Sequence, residues 1–185
     1  YKNRMHTVDP DLLTQVKNTR ARIVLICDSG SGRADRELLS LLMLDKRKPI
    51  VIDHHTWEGN YWEDTKRFLA YNSFEEKESL DGFEVSGAYA SLLVASRLCE
   101  VYFKHSLSFN AMTYTLASMY ADVVDLATPA GRAIYNVVNT TKMPMPALLN
   151  KMNSWNYGIS RRLFSFIICP RINACFRTET FGPLN

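Results

Sequence analysis

A tripeptide of one aspartate and two histidines carries residue types that suit metal-dependent chemistry. Asp53, His54 and His55 directly follow the apolar run 50–52. Carboxylate oxygens and imidazole nitrogens are ligands for Mn²⁺, Zn²⁺ or Fe²⁺. Because neighbouring side chains of an extended chain point to opposite sides, we expect the histidines to serve different roles. One would bind a metal, and the other would contact a substrate or support the metal ligands. For the tripeptide alone, a surface pair of histidines is an equally good interpretation.

Two further acidic residues, Asp28 and Asp122, give this tripeptide a chemical context. Asp28 directly follows the apolar run Ile23–Cys27. If the two apolar runs are neighbouring parallel strands, Asp28 and Asp53 meet at one end of the sheet, where ligand sites of α/β sheets lie. Gly30 would let the backbone approach a ligand there. Asp122 lies in an apolar helical stretch, where an acid is costly unless it is paired or metal-bound. The alternatives are a helix cap at Asp28 and an exposed helix end at Asp122.

The spacing of apolar residues predicts the elements that position these groups. The runs Ile23–Cys27 and 50–52 are typical of strands buried on both faces of a parallel sheet. The segment 33–44 between them is typical of a crossover helix. We therefore predict an α/β fold, with a parallel sheet flanked by helices, over roughly residues 11–64.

From residue 85 onward the pattern becomes helical. Apolar residues recur at helical spacing over 87–103 and 109–123. These helices predict a mostly helical portion over 85–185, which together with the α/β portion forms one partial domain over 1–185. The polar stretch 72–81 predicts a loop between the two portions.

Composition and charge exclude several classes of protein. The chain has 185 residues, of which 46% are hydrophobic and 22% are charged, and this excludes a disordered tail, a collagenous chain or a coiled coil. A net charge of +3 permits a nucleic-acid partner without requiring one. No stretch approaches the ~20 apolar residues of a membrane helix, so we expect no membrane partner. The four cysteines form no C-x-x-C pair, which favours a reducing, cytoplasmic compartment over a zinc ribbon or a disulfide scaffold.

Taken together, the acidic and histidine motifs resemble those of the DHH phosphoesterase superfamily. The Asp-Ser-Gly turn at 28–30 resembles its second motif, the segment 50–55 its third and the segment 121–124 its fourth. The three segments occur in the same order as in the superfamily and at suitable spacing.

Further segments resemble the RecJ-type exonucleases within this superfamily. The Ser-Gly-Ala segment 86–88 opens an apolar helix, and 170–174 together with Arg177 follows the RecJ signature P-R-[IL]-N-A-x-x-R. The segment 1–4 resembles the turn that precedes the second motif. The resemblance also implies a first, aspartate-rich motif before residue 1 and a DHH-associated domain after residue 185. We therefore expect this chain to be part of a longer protein, or an inactive relative, and to be inactive by itself.

The resemblance implies a centre that holds two Mn²⁺ or Mg²⁺ ions. The implied metal ligands are Asp28, which bridges the ions, His54 and Asp122. The implied catalytic residues are Asp53, which orients groups or acts as a ligand at the metal site, and His55, which touches the scissile phosphate. The implied substrate-binding residues are Arg171, Asn173 and Arg177, since the planar fork of arginine matches phosphate oxygens.

The function that the resemblance implies is a metal-dependent phosphodiesterase, a RecJ-like exonuclease that hydrolyses single-stranded DNA. Its expected partners are single-stranded DNA and replication or repair proteins. One alternative is a relative that cleaves small oligonucleotides, cyclic dinucleotides or polyphosphate. The other is a catalytically inactive DHH scaffold in a replication or repair complex.

Overall fold

The computed structural model describes residues 10–33, 35–76, 85–140, 145–153 and 158–178, and their side chains except those of 10–13, 173 and 175–178. The segment 1–4 and the part of the predicted loop over 77–81 lie outside the described residues. The chain divides into two compact units, Tyr1–Ser91 and Leu92–Asn185.

The first unit is built around a parallel sheet. In the described residues its strands are β1, Ile23–Cys27, β2, Lys48–Asp53, and β3, Leu69–Asn72, which lie in the order β1-β2-β3. Its helices are α1, Pro10–Lys17, α2, Asp35–Leu44, and α3, Tyr61–Asp64. Because α2 connects two parallel, adjacent strands, the predicted α/β fold is confirmed.

The third strand corrects part of the loop that the sequence predicts over 72–81. Asn72 ends β3, where it pairs with Asp53 in the parallel register, and it is fully buried. The strand escapes prediction because it has only four residues, two of which, Ala70 and Asn72, are of types depleted in strands.

The two faces of the sheet differ in burial. One face packs against α2, α3 and the loops beside α3, in an apolar cluster of Leu39, Val51, Trp57, Tyr61 and Phe68. On the opposite face Ile23 and Leu25 of β1 are each 59% exposed, so the prediction that this strand is buried on both faces is wrong. In the described sheet β1 is one of the two edge strands, and strand alternation turns these two side chains away from the face that α2 covers.

An ion pair connects α2 to α3 beside this apolar cluster. The Arg36 guanidinium donates to the Asp64 carboxylate, and its carbon lies 5.2 Å from the centre of the Trp57 ring. Asp64 also accepts a hydrogen bond of 2.9 Å from Trp57 Nε1. Burial raises the pKa of Asp64, but the hydrogen bonds from Arg36 and Trp57 outweigh it and hold this pKa below 3.8.

Replacement of Asp64 by Asn is expected to lower the free energy of unfolding at pH 7 by about 2 kcal/mol, because it removes a charged hydrogen-bond acceptor. A carboxyl whose pKa is lowered in the folded state contributes stability above its unfolded pKa of 3.8 and loses that contribution as the pH falls through the folded value. The difference between the two proteins should therefore shrink below pH 3.8. Urea unfolding of both proteins at pH 7 and pH 3 measures this difference in the free energy of unfolding. Glu63→Gln, in an exposed pair with Lys66, is the control and should change stability far less.

The second unit is helical, as the sequence predicts. The helix α4, Gly87–Leu98, spans the boundary between the units and continues as a π-helical segment, Cys99–Phe103. The other helices are α5, Phe109–Ala121, α6, Pro129–Thr140, α7, Ala147–Met152, α8, Arg161–Leu163, and α9, Cys169–Thr178, which a second π-helical segment, Phe164–Ile168, precedes. In the described stretches, no helix combines the length and apolarity needed to cross a membrane.

Candidate metal centre

The C-terminal ends of β1 and β2 bring two predicted acidic residues together. Cys27 pairs with Ile52 in the parallel register, and the next residue, Asp28, donates its backbone N–H to the Ile52 carbonyl at 2.9 Å. Asp53 follows Ile52 directly. The parallel pairing therefore places Asp28 and Asp53 at the same end of the sheet, as expected from the order of the elements.

Four side chains converge at this end of the sheet. Asp28, Asp53, His54 and His55 each offer a ligand atom, and these atoms all lie within 4.8 Å of one another. The Nε2 atom of His54 lies 3.2 Å from Asp28 Oδ1, and Nδ1 of His55 lies 2.7 Å from Asp53 Oδ1. Two carboxylates and two imidazoles at this spacing form a donor set that fits a divalent transition metal.

The sequence predicts that the two histidines point to opposite sides, but in the structure they do not. Their ring centres are 4.3 Å apart. The prediction fails because β2 ends at Asp53, so that the side-chain alternation of a strand no longer applies to the next two residues. The histidines nevertheless interact with different carboxylates, His54 with Asp28 and His55 with Asp53.

Asp53 is the buried member of the cluster, with 1% of its surface exposed. Its Oδ2 accepts a hydrogen bond of 3.0 Å from the Ser31 N–H, and its Oδ1 accepts one of 2.8 Å from the His54 N–H. Burial raises the pKa of Asp53, but the hydrogen bonds from Ser31, His55 and His54 outweigh burial and lower it. The structure thus holds Asp53 as an oriented carboxylate.

Asp28 is exposed but closely bounded by the start of α4. Its backbone has a φ of 61°, in the left-handed region. A Cβ atom added to Gly87 would lie 2.1 Å from Asp28 Oδ1, which is far inside contact distance. Ser86 caps the helix there, since its Oγ accepts the Tyr89 N–H at 3.2 Å. The Ser-Gly-Ala segment 86–88 therefore provides the space that the Asp28 carboxylate occupies.

Gly30 is required for the packing of the loop that follows β1. Its φ is +113°, and a Cβ atom there would lie 2.6 Å from Cγ1 of Val51. Glycine at this position lets the loop after β1 pack onto β2, and the approach of its backbone to a ligand stays a prediction.

Asn72 is a site residue that sequence reasoning missed. Its Nδ2 donates to Ser31 Oγ at 2.7 Å and to the His55 carbonyl at 2.9 Å, and its Oδ1 accepts the N–H of Phe74 at 2.8 Å. The side chain therefore joins the end of β3 to the loop after β1 and to the histidine pair. Asn72 could have been identified from the sequence only if the parallel pairing of β3 with β2 had been predicted.

Asn72→Asp is expected to weaken binding of Mn²⁺ by about tenfold or more. A carboxylate cannot donate to the His55 carbonyl, and loss of such an orienting hydrogen bond to a site residue costs about 10–100-fold in metal affinity. Titration with Mn²⁺ measures the effect. The matched control is Asn60→Asp, which keeps the oxygen that accepts the Glu63 N–H at the start of α3. Equal affinity in Asn72→Asp and the unmodified protein would show that Asn72 does not position the site.

The other predicted site residues belong to the second unit. Asp122 is the exposed C-cap of α5, so it lies at the end of the helix. Arg171 is exposed on α9, and its guanidinium donates to the Met152 carbonyl. Asn173 and Arg177 also lie on α9, and their side chains are outside the described ones. Metal binding by Asp122 and substrate binding by the three α9 residues stay predictions.

Solved structures of RecJ are similar to this chain. RecJ from Thermus thermophilus in complex with Mn²⁺ is 20% identical with a TM-score of 0.71, and the match covers 91% of this chain and 25% of that chain. A structure of exonuclease RecJ bound to manganese is also 20% identical with a TM-score of 0.71, and the match covers 93% of this chain and 42% of that chain. No family model matches the sequence, and no curated protein does.

The likeness confirms the class of fold that the motifs predict. The chain has an α/β fold similar to that of the RecJ structures. It spans a quarter of the length of one of these structures and 42% of the other.

Proposed function

We propose that this protein is a metal-dependent phosphodiesterase that hydrolyses single-stranded DNA as a RecJ-like exonuclease. The observation that carries the proposal is the cluster of Asp28, Asp53, His54 and His55, whose ligand atoms lie within 4.8 Å of one another. The fold supports it, since similar structures are of the exonuclease RecJ bound to manganese.

In this proposal the residues that hold Mn²⁺, or Mg²⁺, are Asp28, His54 and Asp122. The donor set of the first two fits such an ion, because it combines a carboxylate with an imidazole. When bound, a pair of ions activates water and stabilises the attacking and leaving oxygens of an in-line displacement.

Asp53 and His55 form a pair that orients an imidazole toward substrate. Because Asp53 is buried and its carboxylate accepts the Ser31 N–H, it provides a fixed acceptor for Nδ1 of His55 at 2.7 Å. The His55 side chain is 56% exposed. Its Nε2 is the nitrogen left to contact a phosphate oxygen, which fits a role for His55 at the scissile phosphate.

Substrate binding is assigned in the same proposal to residues of α9. Arg171, Asn173 and Arg177 would contact the phosphates of the DNA chain, since a guanidinium forms paired hydrogen bonds with phosphate oxygens.

A digestion assay with His54→Ala tests this function. In the complete protein we expect Mn²⁺-dependent release of nucleotides from single-stranded DNA, little activity on duplex DNA, and none in EDTA. His54→Ala should lower the rate by about 100-fold or more, because a metal ligand is lost. His105→Ala, at an exposed histidine of the second unit, is the matched control and should leave the rate unchanged.

Three results of this assay would contradict the proposal. Hydrolysis that persists in EDTA would exclude a metal mechanism, and full activity of His54→Ala would exclude this site. A folded complete protein that hydrolyses no single-stranded DNA with any divalent metal would indicate the inactive scaffold instead.

A further inference from the structure

A concave surface lies at the end of the sheet opposite the metal centre. It encloses about 510 Å³ and is lined by the segments 19–22 and 45–48, which lead into β1 and β2. We call it the basic cleft. Five of its eight lining residues are cations and only Asp45 is an acid, whereas the whole chain has a net charge of +3. Positive charge is therefore concentrated at this end of the first unit.

Arg47 connects the two segments that line the basic cleft. Its Nε lies 2.7 Å from Asp45 Oδ2, and its Nη1 donates to the Ala21 carbonyl at 2.6 Å. Its Nη2 donates to the carbonyls of Lys17 and Thr19, both at 3.2 Å. These contacts neutralise the one acid of the cleft and fix its two lining segments to each other. The shape of the cleft is therefore formed in advance of any ligand.

The other four cations of the basic cleft face solvent. Arg20, Arg22, Lys46 and Lys48 are all exposed, and in the described part of the chain no acidic side chain pairs with them. Four exposed cations around a preformed concave surface attract an extended anion, and guanidinium groups match phosphate oxygens in particular.

The remaining lining distinguishes between kinds of anion. The cleft contains no aromatic residue and no apolar side chain larger than that of Ala21. A protein partner usually inserts aromatic or aliphatic side chains into apolar pockets, and this surface has none. Bases find no ring on which to stack. What the surface can bind is a row of phosphates.

We propose that the basic cleft binds the phosphate backbone of a nucleic acid, as a contact point separate from the metal centre. The choice of nucleic acid rests on the proposed function. At about 3.3 Å per residue, the six residues of β2 separate the two points by about 17 Å, a distance that a DNA strand of several nucleotides spans. Binding through phosphates alone is independent of base sequence and weakens as salt is added.

The test is binding of a fluorescent single-stranded oligonucleotide in EDTA, where hydrolysis does not interfere. The cleft variant combines Arg20→Gln, Arg22→Gln, Lys46→Gln and Lys48→Gln. The control variant removes the same charge from exposed residues outside the cleft, with Arg97→Gln, Lys104→Gln, Arg132→Gln and Lys151→Gln. Arg47 is left intact because it holds the cleft together, and circular dichroism verifies that both variants fold.

We expect the cleft variant to bind the oligonucleotide at least ~10-fold more weakly than the control variant at 50 mM salt. Its slope of log affinity against log salt concentration should be smaller in magnitude by about 3, because each of the four lost phosphate contacts removes ~0.7 from this slope. Three results would overturn the proposal that the cleft binds nucleic acid. They are equal weakening in both variants, unchanged binding in the cleft variant, and no binding by the unmodified protein. Tighter binding of a polyglutamate peptide than of the oligonucleotide would assign the cleft to an acidic protein instead. Each of these results leaves the proposed function intact if Mn²⁺-dependent hydrolysis persists.

Discussion

Gly87→Ala is expected to lower Mn²⁺ affinity, and the proposed nuclease activity of the complete protein, by about 100-fold while the protein stays folded. The added Cβ would lie 2.1 Å from Oδ1 and 2.8 Å from Cγ of Asp28, so the carboxylate must leave its place beside His54 Nε2. Because the Asp28 side chain is 60% exposed, it can rotate into solvent. The substitution therefore weakens metal binding and leaves the packing of the core unchanged. A displacement of about 1 Å in such a site costs on the order of 100-fold in rate.

The matched control for this substitution is Gly158→Ala, where an added Cβ meets no atom within 4 Å. Both variants gain one methyl group, so a general effect of the Gly-to-Ala change on the unfolded chain is shared between them. Isothermal titration with Mn²⁺ compares the two. If Gly87→Ala binds Mn²⁺ as tightly as Gly158→Ala does, then the position of Asp28 beside α4 does not matter for metal binding.

Asp53→Asn should have the second-largest effect, again about 100-fold in Mn²⁺ affinity, together with a loss of stability. The substitution removes a buried negative charge and places an amide NH₂ against the N–H donors of Ser31 or His54, which approach the two carboxylate oxygens at 3.0 and 2.8 Å. Buried donors left without an acceptor cost about 1–3 kcal/mol each.

The control for the loss of a carboxylate is Asp45→Asn, at the opposite end of the sheet, which should leave Mn²⁺ affinity unchanged. Titration with Mn²⁺ and urea unfolding separate the two effects of Asp53→Asn. Native metal affinity in a destabilised Asp53→Asn protein would mean that Asp53 serves the fold alone.

The convergence of the acidic residues could be predicted from the sequence because it depends only on the order of the elements. Two apolar runs joined by a helix imply parallel strands, and parallel strands bring the residues after Cys27 and Ile52 together. The pairing of the histidines with different carboxylates follows less directly, because it depends on how the chain turns after β2. That turn has no signature in the residue types, and the predicted orientation of the rings is wrong for this reason.

Contacts between residues distant in sequence could not be predicted. The amide of Asn72 bonds to Ser31, 41 positions earlier, and the space beside Asp28 depends on Gly87 in a later helix. A glycine in a sequence does not reveal which atom it must accommodate, so Gly30 and Gly87 became distinguishable only from the structure. Likewise, the apolar residues of β1 predict a strand, but the exposure of Ile23 depends on which faces of the sheet other elements cover.

Anomalous diffraction tests directly whether Asp28 and His54, which lie beside the pair of Asp53 and His55, hold a divalent metal. Crystals of the protein soaked in Mn²⁺ should be measured at wavelengths on both sides of the manganese absorption edge. We expect a manganese peak within coordination distance of Asp28 and His54, at the C-terminal ends of β1 and β2, which disappears in crystals of His54→Ala. A saturating soak that places no manganese at these residues, or a peak that persists unchanged in His54→Ala, would contradict it.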